Sequence, residues 1–258
     1  MAEDLKELLD FAAQIAVNAG KITLRYFKPD IAVELKPDES PVTAADREAE
    51  DYLRAAILGR YPHHSVLGEE AGVSGAEEAE YRWVLDPIDG TRSFIRGVPL
   101  YGVLIGLLHR GEPVAGVVHL PALDETVCAA RGLGCTWNGA PCRVSERRAL
   151  GEGLVVGTVA FGYEPYGKAA AFQRIVERAG MFRTWGDCYA YVLVATGRAE
   201  AAVDPIMNLW DAAALLPILQ EAGGTYTDWR GNPTIEAGEG LGSNGHVLPE
   251  LLALIDGQ

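Results

Sequence analysis

The segment Asp86-Pro87-Ile88-Asp89-Gly90-Thr91 follows directly on Trp83-Val84-Leu85, an apolar run that reads as a buried strand. Two carboxylates three residues apart, on a turn bent by Pro87 and Gly90 at the strand's end, can converge on one point instead of alternating across a sheet. Such a pair repels itself unless a cation sits between the two. Oxygen ligands of this hardness select Mg2+, Mn2+ or Ca2+ over softer metals. Gly90 and Thr91 would then offer backbone N–H groups and a hydroxyl to an anion beside that cation. The same residues also suit an Asx-type turn in which Asp86 and Asp89 bond nearby amides, and spacing alone does not separate the two readings.

Further acids raise the same question. Glu69-Glu70 follows Ser65-Val66-Leu67-Gly68, which reads as an edge strand leading toward the same region, but Glu77, Glu78 and Glu80 make a solvated acidic turn equally consistent. Asp211 lies three residues after Asn208 at a helix start, where a first-turn acid complements the helix dipole; by itself that role is favoured over metal binding. Gly162 to Lys168 fits the GxxxxGK half of a phosphate-binding loop. However, Ala169 stands where Ser or Thr must reach magnesium, and Glu164-Pro165 occupies a stretch that needs free amides, which disfavours a nucleoside-triphosphatase. His63 and His64, adjacent on a turn after Tyr61-Pro62, are expected to diverge into solvent. His109, His119 and His246 are scattered, and the chain has no Gly-x-Ser-x-Gly.

Elements that must position these residues can be read from periodicity. Leu5, Leu8, Leu9, Ala12, Ile15, Ala16, Ala19 and Ile22 mark one face of a long helix, and Thr43 with Asp46 resembles a capping arrangement for a second. After the strand at Trp83 the segments Tyr101 to Leu108, Val114 to His119 and Thr126 to Ala130 alternate with turns and predict an antiparallel meander, with a hairpin tip at Trp137-Asn138-Gly139. From about Leu150 strands and helices alternate: strands at Leu154, Met181, Glu200 and Thr225, and helices over Lys168 to Arg178, Asp187 to Thr196, Asn208 to Ala222 and after Val247. This predicts an α/β (α+β) protein with a soft boundary near Gly151. Residues 1–150 form an α+β half with the antiparallel sheet and most candidate ligands, and residues 151–258 an α/β half carrying Asp204 and Asp211.

Composition narrows the partners. A chain of 258 residues with 48% hydrophobic content can bury a sizeable core, which excludes disorder. Its 36 acidic against 22 basic residues leave a charge of −14, which excludes nonspecific nucleic-acid binding and would repel a small anion unless a local cation receives it. Cys128, Cys135, Cys142 and Cys188 match no CxxC or zinc spacing and read as buried free thiols. The N-terminal stretch is acidic where a leader would be basic, and Val98 to Leu108 is too short to span a bilayer. The expectation is a soluble cytoplasmic protein with no membrane partner.

At Trp83 to Thr91 the sequence resembles the inositol monophosphatase superfamily of magnesium-dependent, lithium-sensitive phosphatases. Val42-Thr43-Ala44-Ala45-Asp46 resembles its early acidic motif and Leu67-Gly68-Glu69-Glu70 its glutamate motif. Leu209-Trp210-Asp211-Ala212-Ala213 with Glu221-Ala222-Gly223-Gly224 resembles its C-terminal signature, and the likeness runs from Leu5 to the end. Thr91 to Pro99 and Gly186-Asp187-Cys188-Tyr189 are most similar to the histidinol-phosphate phosphatase branch; inositol monophosphatases more often have Asn where Ser93 stands.

The resemblance implies a layered αβαβα sandwich, commonly a homodimer, with the site between the two halves. It implies about two or three Mg2+ ions per site, with Mn2+ as a possible substitute. Their ligands would be Glu69, Asp86, Asp89, Asp211 and the Ile88 carbonyl. Asp46 would stand behind them, hydrogen-bonded to Thr91 or holding a further metal through water. Gly90 and Thr91 would bind phosphate, Glu69 and Thr91 would orient or deprotonate the attacking water, and Asp204 would contact the leaving alcohol. For L-histidinol phosphate, Asp187 and Asp204 are the candidates to bind the cationic amino and imidazole ends, with Arg92 nearby. Alternatives are an inositol-1-monophosphatase, then a 3'(2'),5'-bisphosphate nucleotidase or fructose-1,6-bisphosphatase; the last two must hold a second phosphate, for which only Arg92, Arg96 and Arg183 are at hand. A non-catalytic scaffold would have lost a metal carboxylate, and none is lost.

Overall fold

The computed structural model describes residues 3–27, 32–35 and 41–257. Its outermost layer is a pair of helices, α1 (Leu5–Tyr26) and α2 (Ala44–Arg60). In α1 the periodic Leu8, Leu9, Ala12, Ile15, Ala16 and Ala19 are all buried, and Asp4 caps the helix by accepting from Lys6 N. At the start of α2 the Thr43 hydroxyl accepts from Ala45 N while Asp46 reaches back to Thr43 N. Two short strands, β1 (Glu34–Leu35) and β2 (Pro41–Val42), pair antiparallel before it.

These helices cover an eight-stranded sheet built from β3 (Ser65–Gly68), β4 (Gly72–Gly75), β5 (Tyr81–Asp89), β6 (Gly102–His109), β7 (Glu112–Leu120), β8 (Glu125–Ala130), β9 (Gly134–Trp137) and β10 (Ala140–Pro141). The spatial order is β10-β9-β8-β7-β6-β5-β3-β4, and β5 through β10 form the predicted meander. Ser65–Gly68 is not the edge strand it was expected to be. Gly72–Gly75 folds back after the acidic turn and takes the edge, a short glycine-bounded strand with no hydrophobic signal of its own. Between β5 and β6 the chain makes one short helix, α3 (Thr91–Phe94).

A second sheet contains β11 (Leu154–Gly157), β12 (Met181–Arg183), β13 (Ala201–Asp204), β14 (Thr225–Thr227) and β15 (Gly240–Ser243), in the order β12-β11-β13-β15-β14. Its outer face is covered by α4 (Ala169–Arg178) and α8 (Leu248–Asp256), where Phe172, Ile175 and Leu251 pack with Val155, Val203 and Leu241. Between the sheets lie α5 (Cys188–Ala195), α6 (Leu209–Ala212) and α7 (Leu215–Glu221). One apolar cluster runs from Val84 and Leu104 of the large sheet through Tyr191 and Ile218 to Val156 and Ala202 of the small one. The layers are therefore αβαβα.

The single helix expected over Asn208 to Ala222 is two helices. Gly106 and Gly116 face each other across β6 and β7, and a Cβ on either would overlap Ala213 or Ala214; the chain bends where it presses on this glycine notch. Among the described residues no helix is long and apolar enough to cross a membrane. Cysteine burial also differs from expectation: Cys135 and Cys188 are buried, Cys128 and Cys142 only half-buried, and the Cys135 and Cys142 sulfurs lie 3.5 Å apart as free thiols.

Candidate active site

At the Asp86 to Asp89 turn, local hydrogen bonds to amides and convergence of the two carboxylates coexist. Asp86 Oδ1 accepts from Ile88 N at 3.0 Å, and Asp89 Oδ2 accepts from Cys188 N at the start of α5. The β5–β6 register slips between Asp86 and Asp89, and this irregularity turns the two side chains toward each other. Asp211 joins them: Asp86, Asp89 and Asp211 each place one carboxylate oxygen within 4.8 Å of the others. Asp211 Oδ2 meanwhile accepts from Asn208 N at 2.6 Å, so one carboxylate caps α6 and faces the cluster. The dipole role and the convergent role coexist.

Glu69 arrives by sheet topology. β3 runs parallel to β5 with Gly68 opposite Leu85, and Glu69 N donates to Leu85 O at 3.1 Å, which sets Glu69 beside Asp86. Burial, then the charges of Glu69, Asp89 and Asp211, hold the Asp86 carboxyl well above the usual range. Asp89 is raised the same way, by burial and then by Asp187 and Asp211.

Asp46, 0% exposed, lies behind this group. Its Oδ2 accepts from Thr43 N and Thr43 Oγ1 at 2.8 and 2.6 Å, while Oδ1 is buried with no hydrogen-bond partner; burial pushes this carboxyl up to about 6. The expected hydrogen bond between Asp46 and Thr91 is absent. Thr91 Oγ1 instead donates to the Ile88 carbonyl at 2.9 Å, because the short helix α3 brings the hydroxyl back over its own turn. The Ile88 side chain is anchored with Ala45, Phe94 and Tyr101, so its carbonyl is held at the site. An all-oxygen donor set, three converging acids of which Asp86 is buried and Asp89 and Asp211 half-buried, and an orphaned buried carboxylate oxygen of Asp46 fit hard divalent cations.

A model of the inositol monophosphatase family matches residues 4–256. The chain belongs to the inositol monophosphatase family. It is 45% identical over 245 residues, 93% of each chain, to a histidinol-phosphatase of Chlorobaculum parvum. To an inositol-1-monophosphatase of Rhizobium meliloti it is 34% identical over 254 residues, 96% of each chain. The inositol monophosphatase of Anabaena superposes with a TM-score of 0.88 at 31% identity, covering 99% of this chain and 97% of that one. The chain is thus a phosphatase of this family, a phosphoric monoester hydrolase.

In this family member a cavity of about 490 Å³ opens beside the carboxylates, lined among others by Asp89, Arg92, Asp187, Asp204 and Asp211. Gly90 has φ 85°, and a side chain there would meet Leu100 O at 2.9 Å and Asp187 Oδ2 at 3.0 Å, so only glycine lets the turn approach Asp187. Asp187 itself has φ 54°, a left-handed value rare outside glycine, and its N donates to Thr158 Oγ1 at 2.9 Å. Burial and the Asp211 charge push its carboxyl up to about 6, against the opposing pull of Arg92. Asp204 is 3% exposed; its two oxygens accept from Thr158 N at 3.1 Å and Tyr191 Oη at 3.0 Å, and burial pushes it up to about 7. Thr158 is therefore held by the Asp204 carboxylate and by the Asp187 backbone amide.

Asp204 carries a testable consequence. The unfolded carboxyl titrates near ~3.9, so the folded chain holds an extra proton between that value and about 7. Its contribution to stability is fully present below the unfolded value and is lost as pH rises through about 7. Asp204→Asn should flatten this fall in the metal-free protein, and thermal unfolding across pH with an unaltered slope would contradict the assignment.

The phosphatase does not use its histidine pair as the sequence suggested. His63 is exposed, but His64 is 0% exposed, and both Nε2 atoms face Glu3 Oε1, at 2.9 and 3.0 Å. They converge because His64 turns inward to stack on Tyr61 and lies beside Tyr81 and Trp83. Trp83 Nε1 donates to His64 Nδ1 at 3.0 Å, so the neutral ring carries its proton on Nε2, the position where a metal would have to bind. This cluster is a hydrogen-bonded clasp. The GxxxxGK stretch also finds another role: Phe161, Gly162 and Tyr166 border the cavity, and Lys168 pairs with Glu239 over Trp229. Thr158 and Phe161 were missed in the sequence because they sit in a loop with no periodic signal.

Proposed function

We propose that this phosphatase hydrolyses L-histidinol phosphate to L-histidinol and phosphate with Mg2+ held by Glu69, Asp86, Asp89, Asp211 and the Ile88 carbonyl. The observation that carries the substrate assignment is the charge of the cavity wall. Apart from the proposed metal ligands Asp89 and Asp211, whose charge the cations would offset, Asp187 and Asp204 line it with Arg92 as the one base among the described residues, which favours a cationic leaving group over a second phosphate. Phe161, 81% exposed, borders the same space and offers a flat apolar face to a planar ring. The identity to the Chlorobaculum histidinol-phosphatase supports the same reading.

Uncatalysed phosphate-ester hydrolysis is extremely slow, and its barrier is electrostatic as much as covalent. Bound divalent cations would acidify a coordinated water and offset charge on the phosphoryl and leaving oxygens. The chain's own groups do the rest. Thr91 commits its hydroxyl proton to the Ile88 carbonyl, so toward a water it can act only as an acceptor, which orients the water for attack. Glu69, set beside Asp86, is the group to take that water's proton. Gly90 and Thr91, at the start of α3, would bind the phosphate, and Asp187 is half-buried on the cavity wall where the amino or imidazole end would lie. Asp204, with both oxygens engaged, contributes negative potential at the cavity floor and fixes Thr158.

The test is kcat/KM for histidinol phosphate, inositol 1-phosphate and adenosine 3',5'-bisphosphate, with Li+ as inhibitor, and with Asp187→Asn alongside the wild type. Histidinol phosphate should be preferred. Asp187→Asn should raise its KM by roughly ten-fold, the loss of one charged hydrogen bond, and leave a neutral ester little changed. Equal effects on both esters would remove Asp187 from the substrate, and preference for inositol 1-phosphate would return the chain to the activity named for its Rhizobium relative. A homodimer in solution is proposed on the family resemblance, and sedimentation reads it directly.

A further inference from the structure

One buried ion pair lies just outside the site. Glu50, one helical turn beyond Asp46 on α2, is 1% exposed. Its Oε1 accepts from Arg54 Nε and Nη2 at 2.9 and 2.8 Å and from Ala71 N at 2.9 Å, and its Oε2 accepts from Glu70 N at 2.8 Å. Arg54, itself nearly buried, donates through Nη1 to Ser74 Oγ at 2.6 Å and through Nη2 to Gly72 O at 2.5 Å. The pair therefore grips the Glu69 to Gly72 turn by two amides on one side and the Gly72 carbonyl on the other, and reaches the Ser74 hydroxyl of β4. There is no slack, because a Cβ on Gly68 would overlap the Glu50 carboxylate.

A buried ion pair is weak support for stability, since apolar residues of similar size often serve as well once desolvation is counted. What apolar residues cannot do is bind two outward-facing amides and so fix where the turn's first residue points. That first residue is Glu69. We infer that Glu50 and Arg54 are positioning residues that set Glu69 against Asp86 and thereby tune divalent-metal affinity, an inference that rests on the metal reading of the site. The stripe Asp46, Glu50, Arg54 on α2 carries the constraint from the carboxylate cluster to the turn.

The experiment compares Glu50→Gln/Arg54→Met, which removes both charges and leaves neither buried alone, with Arg54→Lys, which keeps the charge but not the forked contact. Mn2+ binding to substrate-free protein is measured by electron paramagnetic resonance, and KM at saturating Mg2+ is measured in parallel. Both variants should bind Mn2+ about ten-fold or more weakly, as outer partners of metal ligands do, while KM at saturating Mg2+ and the metal-free far-ultraviolet circular dichroism stay near those of the wild type. Mn2+ affinity within about two-fold of wild type in both variants overturns the inference. If wild-type protein itself binds no Mn2+, the metal reading falls, and this inference with it.

Discussion

Asp86→Asn should lower kcat/KM for phosphate-ester hydrolysis by about 10³-fold or more, because the lost metal ligand removes several kcal/mol of charge stabilisation from the transition state. The same substitution should leave the metal-free protein at least as stable as the wild type. Asn Oδ1 can still accept from Ile88 N, so the turn keeps its hydrogen bond. The charge that disappears is one that burial and the neighbouring Glu69, Asp89 and Asp211 all oppose. Loss of function coupled to unchanged or increased stability is the mark of a residue held in place for chemistry rather than for folding. Steady-state phosphate release and thermal unfolding in a chelator read the two halves separately. A variant that unfolds well below the wild type would reassign Asp86 as a structural Asx residue.

A second large effect concerns pH and magnesium together. Asp46 and Asp187 titrate at about 6, Asp204 at about 7, and Asp86 and Asp89 are raised as well. Every one of these lies above its unfolded value of roughly 3.9, so the folded state binds the extra protons and stability falls as pH rises from about 4 through about 7. Surface acids held low by arginines, such as Glu34 beside Arg47, act in the opposite direction, but they are exposed and well screened. The metal-free protein should therefore be most stable in mild acid. Magnesium competes with those protons, so excess Mg2+ should raise the unfolding temperature little at about pH 5 and strongly at about pH 8, where a concentration 100 times Kd is worth ~2.7 kcal/mol. A shift of equal size at both pH values would contradict the picture of ligand carboxylates protonated in the empty site.

The parts of this site that the sequence exposes are those whose geometry is local. Asp86 and Asp89 share one turn, and Asp211 and Asp46 each sit in the first turn of a helix, so spacing alone placed them on bends or caps. What spacing could not separate was capping from metal binding, because the folded carboxylates have two oxygens and Asp211 uses one for the cap while facing the cluster. Glu69 depends on a parallel pairing of β3 with β5, a long-range fact with no local trace, and its turn was indistinguishable from the acidic stretch after it. The division of Asn208 to Ala222 was hidden for a similar reason: the notch that bends it is made by Gly106 and Gly116 about one hundred residues earlier. The position of His64 after a turn predicts exposure, yet stacking on Tyr61 and a hydrogen bond from Trp83 draw it inside. Glu50 belongs to no motif, and only the folded turn reveals what it holds.

The excess negative charge of the chain, −14, takes on a local meaning at this site. Glu69, Asp86, Asp89 and Asp211, with Asp46 behind them, form a pocket that repels phosphate when empty and would attract it once cations are bound. The most direct measurement is phosphate release from L-histidinol phosphate by chelator-treated protein titrated with Mg2+. The account predicts no turnover without metal, recovery as Mg2+ fills the site, and no recovery in Asp86→Asn at matched Mg2+. Turnover that persists undiminished in the chelator, or that Asp86→Asn leaves intact, would contradict it.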